Sequence, residues 1–121
     1  ADGWLRAGSA IDIPDGRAQI VTPPSGERIA VFRDGVHIYA LSNVCRHQGG
    51  PLGEGRIVDG CVTCPWHGFQ YHPQDGRAPA PFTERIATYR TRIAAGIAFV
   101  FPEPIMSDEP TPPSVIEGAS P

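Results

Sequence analysis

Two short stretches constrain this 121-residue chain more than anything else in it: Cys45-Arg46-His47 and Cys64-Pro65-Trp66-His67. Each supplies one cysteine and one histidine, and sixteen residues, 48–63, separate them. Cys-x-His places two donors on one side of an extended loop, and Cys-x-x-His closes a turn so that its donors converge. The chain must bring both pairs to one place, so it needs a scaffold that presents two loops side by side. The composition around them is suited to loops. Residues 43–55 hold Gly49, Gly50, Gly53, Gly55 and Pro51, and glycine lets backbone approach closely with no Cβ in the way.

The scaffold reads as short strands. Strands are expected around Trp4–Gly8 and Arg17–Thr22, with a Pro14-Asp15-Gly16 turn between them. Glu27–Arg33 and Val36–Ser42 are rich in β-branched and aromatic residues and flank Asp34-Gly35, the signature of a type I′ hairpin turn. Val36, Ile38 and Ala40 alternate with His37, Tyr39 and Leu41, so both faces of that second strand are partly apolar. Arg56–Val58 and Cys61–Thr63 form another hairpin around Asp59-Gly60, leading straight into the second ligand pair. Phe69–His72 is expected as a short strand ended by Pro73. Ile86–Ile93 is expected as one strand, Ala94-Ala95-Gly96 as a turn, and Ile97–Phe101 as the last strand. Short strands with frequent turns predict an all-β antiparallel sandwich or barrel with a loop-rich, ligand-bearing part at about 43–82. Residues 102–121 contain six prolines and no apolar periodicity, and are expected to be a loosely draped tail or linker, with Ile105, Met106, Val115 and Ile116 as local anchors.

Chemistry alone leaves two metals open. Zinc takes two Cys and two His in a closed tetrahedral site. A [2Fe–2S] centre of the Rieske type takes two Cys on one iron and two His on the other. The setting favours the second: a zinc site has no need for two glycine-rich loops, and a β-domain of about 100 residues does not depend on a metal to fold.

The residues within the boxes add a resemblance. Cys45-Arg46-His47-Gln48-Gly49-Gly50-Pro51-Leu52 and Cys64-Pro65-Trp66-His67-Gly68 resemble the two cluster-binding boxes of the Rieske family, and the similarity extends over residues 3–101. It implies the Rieske β-fold, a cluster with Cys45 and Cys64 on one iron, and His47 and His67 on the other near the surface, where electrons enter and leave. Respiratory members of the family have an extra cysteine in each box, joined as a disulfide. Those positions are Gly50 and Trp66 here, and Phe69 stands where the high-potential type has a serine, although Tyr71 is retained. The resemblance is therefore to the ferredoxin and oxygenase type. It implies a one-electron carrier with a potential in the lower half of the Rieske range of about −150 to +300 mV. Its implied partners are a flavin reductase and a terminal oxygenase or similar acceptor. The alternative is the Rieske domain of a larger redox enzyme, such as an oxygenase, a nitrite-reductase small subunit or a membrane reductase. A zinc-binding interaction module remains as a third reading.

Charge and composition remove other classes. The net charge is −3, all ten basic residues are arginine, and no basic stripe suggests nucleic acid. No apolar run approaches the roughly 18 to 20 residues of a membrane span, so a cytoplasmic location is expected. No Ser/His/Asp set, phosphate loop or dinucleotide fingerprint occurs, which points to an electron-transfer component rather than an enzyme by itself. Cys61-Val62-Thr63-Cys64 has the form of a thiol motif, but strand alternation turns Cys61 away from Cys64, and Cys61 is expected as a small buried apolar residue. His37 and His72 are expected as surface or satisfied histidines rather than ligands, and Leu52, Trp66, Phe69, Pro79 and Pro81 as a dry shell around the cluster.

Overall fold

In the computed structural model the described residues are 3–44, 50–66, 68–106 and 110–116. They form eleven strands: β1 (Leu5–Ser9), β2 (Ala18–Val21), β3 (Ile29–Asp34), β4 (His37–Ser42), β5 (Arg56–Val58), β6 (Cys61–Thr63), β7 (Gln70–Tyr71), β8 (Thr88–Tyr89), β9 (Thr91–Ala94), β10 (Ile97–Val100) and β11 (Ser114–Val115). Single 3-10 turns at Ala10–Asp12 and Leu52–Glu54 are the helical elements among these residues. All strand pairings are antiparallel, in three sheets: β1-β10-β9, β5-β6-β7, and a central β11-β4-β3-β2 sheet with β8 also on β4. The all-β antiparallel fold agrees with the expectation from sequence. No helix among the described residues is long and apolar enough to cross a membrane.

The β3–β4 hairpin is the centre of the structure. It runs in register from Ile29↔Ser42 to Asp34↔His37. Successive side chains on a strand face opposite ways, and here both sides are buried. Ile29, Val31, Ile38 and Ala40 pack with Ala7, Ala98 and Val100 in one apolar cluster. Ala30, Phe32 and Leu41 pack with Leu52, Val62, Cys64 and Tyr71 in another. The partly apolar character of both faces of β4 is thereby explained: one face meets the β1-β10-β9 sheet, the other meets the β5-β6-β7 sheet. Burying a side chain such as Phe32 or Ile29, each at 0% exposure, contributes about 1.5–3 kcal/mol.

Turn chemistry sets the registers. At the β5–β6 hairpin both Asp59 (φ 51) and Gly60 (φ 79) are left-handed, as a type I′ turn demands. Ala95 (φ 52) and Gly96 (φ 77) do the same between β9 and β10. The β3–β4 turn differs from expectation by one residue. Asp34 pairs with His37, so Gly35-Val36 form its centre, and of these Gly35 has the positive φ, at 62. That is the pattern of a turn with glycine in its first central position, and it lets Asp34 remain in the ladder.

Two further expectations are corrected. The strand expected over Ile86–Ile93 is split at Arg90: β8 pairs with β4, while β9 pairs with β10. The break lets one segment pass from the central sheet to the outer one, and periodicity within a segment does not reveal a change of partner. The stretch after 101, expected to be loosely draped, is fastened where it is described. Ile105 bridges to Thr88, and Ser114 and Val115 pair with Ile38 and His37. Hydroxyl contacts join Thr88 to Thr111 at 2.7 Å and Thr91 to Ser114 at 2.6 Å. Of the expected anchors, Ile116 is buried, whereas Met106 and Val115 are exposed. A hydrogen bond contributes about 1 kcal/mol net. Deleting residues 110–121 should therefore lower unfolding stability by about 2–4 kcal/mol once the burial of Ile116 is included. An unchanged denaturation midpoint in urea would show that the docked strand contributes nothing.

Candidate metal centre

The second ligand box is the tip of a hairpin. β6 runs into Cys64, the chain turns through Pro65 and Trp66, and β7 returns beside β6 with Val62↔Tyr71 and Thr63↔Gln70 paired. The Cys64 N–H donates to the Phe69 carbonyl at 2.8 Å and closes the tip. The Gln70 side-chain amide donates to Thr63 Oγ1 at 3.2 Å and reinforces its base.

The first box leaves the end of β4. Its base is closed by a bridge between Val44 and Pro51. Asn43 does most of the fastening: its carbonyl accepts from the Leu52 N–H at 2.8 Å, and its Oδ1 accepts from the Gly53 N–H at 2.6 Å. A Cβ on Gly53 would meet the Ile20 side chain and stand 2.6 Å from Asn43 Oδ1, so the close approach requires glycine. Sequence reading passed over Asn43. Its place at the end of a strand, two residues ahead of Cys45, is the signal that the sequence holds.

The two boxes meet. A Cβ on Gly50 would lie 2.9 Å from Cys64 Sγ and 2.9 Å from Trp66 Cδ2, closer than real Cβ contacts come. The Trp66 N–H donates to Cys64 Sγ at 3.4 Å. Cys64 is 1% exposed and packs with Leu52, Val62 and Tyr71. Of the four candidate ligands, Cys64 is thus in the junction between the boxes. Cys45, His47 and His67 lie outside the described residues. A buried sulfur that receives a backbone N–H and has a side-chain-free cradle beside it fits a thiolate holding a metal cluster, because N–H donors stabilise anionic sulfur.

The expected dry shell is partly present. Leu52 is fully buried and Phe69 packs on the Cys64 cluster, with ring centroids 5.4 Å from Tyr71 and 5.2 Å from Phe82. Trp66 and Pro81 are exposed, and Pro79 is half-buried. His37 and His72 are exposed. Cys61 is corrected from buried to half-buried: its Sγ lies 3.6 Å from His72 Nδ1. Burial first, and then the nearby Asp59 carboxylate, push its thiol pKa above the ordinary value. No disulfide joins the described cysteines, Cys61 and Cys64.

Two outcomes check these contacts. Asn43→Ala should lose about 1–3 kcal/mol, because it leaves the part-buried Gly53 N–H without its acceptor; equal denaturation curves for variant and parent would remove Asn43 as the fastener. Asp59→Asn should lower the Cys61 pKa and bring its iodoacetamide alkylation to lower pH, as read by peptide mass. An unmoved pH profile would show that the carboxylate has no influence on the thiol.

The chain has recognisable relatives among known proteins. The model of the Rieske [2Fe-2S] domain matches residues 3–90. Over 70 residues the chain is 43% identical to an anthranilate 1,2-dioxygenase ferredoxin subunit from Burkholderia cepacia, covering 56% of this chain and 64% of that protein. Over 110 residues it is 34% identical to a cholesterol 7-desaturase from Xenopus laevis, covering 83% of this chain and 24% of that protein. The chain therefore spans less than two thirds of the length of either relative. Among solved structures, it superposes with a TM-score of 0.78 and 25% identity on a chain from the complex of reduced oxygenase and oxidized ferredoxin in carbazole 1,9a-dioxygenase, covering 88% of this chain and all of that one.

Proposed function

The chain belongs to the Rieske [2Fe–2S] domain family, and we propose that it is the electron-carrying component of an oxygenase system. A Rieske domain carries a [2Fe–2S] cluster, and that group supplies reversible uptake of one electron. In this reading Cys45 and Cys64 hold one iron, His47 and His67 hold the other, and residues 43–82 form the cluster-bearing part of the chain. The observation that carries the reading is the superposition, over most of this chain, on the whole of a chain from an oxygenase–ferredoxin complex. The geometry at Cys64 supports it.

The chain's own residues have definable work. Cys64 supplies a thiolate from a site with 1% exposure, and the Trp66 N–H offsets negative charge on its sulfur. Leu52, Val62 and Tyr71 exclude water from the inner side. Phe69, in place of a serine hydroxyl, supplies no side-chain donor; fewer donors leave the reduced, more negative state less stabilised. The partners in this reading are a flavin reductase as donor and a terminal oxygenase as acceptor.

A second reading has its own observation. The match to a cholesterol 7-desaturase extends over 83% of this chain yet only 24% of that protein. The same fold would then serve as the Rieske domain of a larger redox enzyme, with the same cluster chemistry.

The purified chain should be red-brown, contain iron and acid-labile sulfide in equal amounts, and give a rhombic EPR signal when reduced. Its potential should lie in the lower half of about −150 to +300 mV. Cys64→Ser should lose the visible absorption. A colourless zinc protein would end the electron-transfer reading, and a potential above about +200 mV would end the assignment to the ferredoxin and oxygenase type.

A further inference from the structure

Cys64 is covered from two directions. It shares a buried apolar cluster with Leu52, Val62 and Tyr71, while Gly50 and Trp66 stand against its sulfur where the two boxes meet. We infer that Gly50 and Trp66 form a noncovalent clasp that holds the first ligand loop on the second and shields the Cys64 sulfur. The inference rests on the reading of Cys64 as a cluster ligand and adds two positioning residues to it.

The geometry is restrictive on both sides. A Cβ at Gly50 would stand 2.9 Å from Cys64 Sγ and 2.9 and 3.1 Å from Trp66 Cδ2 and Cε3. Those two carbons belong to the six-membered part of the indole, so the bare Cα of Gly50 sits against the ring and the sulfur together. No residue other than glycine fits without moving one of them. Trp66 is 47% exposed, so much of its surface meets solvent. An indole that open is ordinarily free to change rotamer. Here its backbone is tied to Cys64 by the N–H···S contact of 3.4 Å, and its ring rests on buried Gly50.

The clasp complements the fastening at the other end of the first box. Asn43 holds the base of that loop through Leu52 and Gly53, and Val44 bridges to Pro51. Gly50 stands directly against the Cys64 sulfur and the Trp66 ring of the second box, while Leu52 of the first box shares the buried cluster of Cys64. With the ring removed, the base would remain closed, but the Gly50 side of Cys64 would open to water. The effect reaches the metal centre through Cys64, so it should show in cluster retention and in the electronic signature of the bound cluster, beyond any change in folding.

The test uses the full chain with its cluster. Loss of visible absorption is followed in excess ferrous chelator for the parent, Trp66→Ala, Trp66→Phe and Gly50→Ala, with iron and sulfide measured in each. Trp66→Ala should lose its cluster about ten-fold faster. Trp66→Phe, which retains a ring over Gly50, should stay within about two-fold of the parent. Gly50→Ala should be faster and should shift the reduced EPR g-values, because its Cβ must displace the Cys64 sulfur or the indole. Should Gly50→Ala fail to fold, the two Trp66 variants carry the test. A loaded parent with an unchanged loss rate in Trp66→Ala overturns the clasp, including the case in which that variant only slows electron transfer to an acceptor. A parent without iron and sulfide overturns the cluster reading itself.

Discussion

The structure depends on one hairpin whose faces are both buried. β3 and β4 pair over six residues each, and their alternating side chains divide between two apolar clusters. Ile29 and Val31 anchor the β1-β10-β9 sheet, while Phe32 and Leu41 support the β5-β6-β7 sheet. A strand with one wet face could support only one of these neighbours. The part of the chain that carries the second Cys/His box is therefore not an appendage on a finished domain. It is the cover for half of the central core, and Cys64 is a member of that core. Burial that stabilises the fold also dries the sulfur.

From this follows a division of labour around the junction. The second box is framed by β6 and β7, and the Cys64 N–H bonds across to the Phe69 carbonyl. The first box leaves a strand end and returns through a bridge and a 3-10 turn, so its fastening falls to side-chain and backbone polar groups of Asn43. Such contacts are worth about 1 kcal/mol each when made and cost more when one partner is removed. Close approach replaces bulk at the meeting point: Gly50 yields its side chain, and Trp66 fills the space above it.

Local signals read well where geometry was local. The Asp59-Gly60 turn, the β5–β6 hairpin and the strand leading into Cys64 follow from residue types that few other conformations suit. Reading weakened where a residue's partner lay far along the chain. Arg90 gives no sign that β8 and β9 belong to different sheets. Thr111 and Ser114 give no sign that their hydroxyls meet Thr88 and Thr91. Cys61 alternates away from Cys64 as strand geometry requires, yet its half-exposed place beside His72 depends on where β7 ends.

By itself the sequence determined the chemistry on offer: two cysteines and two histidines at short spacing, glycine-rich loops, and strands with hairpin turns. These are properties of residue type and short-range geometry, which do not wait for the rest of the chain. It also carried the distinction within the family, since Gly50, Trp66 and Phe69 stand where other members have reactive or hydrogen-bonding side chains. Only the tertiary structure decided that Cys64 is sealed in the core, that Asn43 fastens the first loop, and that Gly50 and Trp66 touch across the two boxes. Those contacts join residues distant along the chain, and they exist only because both faces of β3 and β4 were already committed to burial.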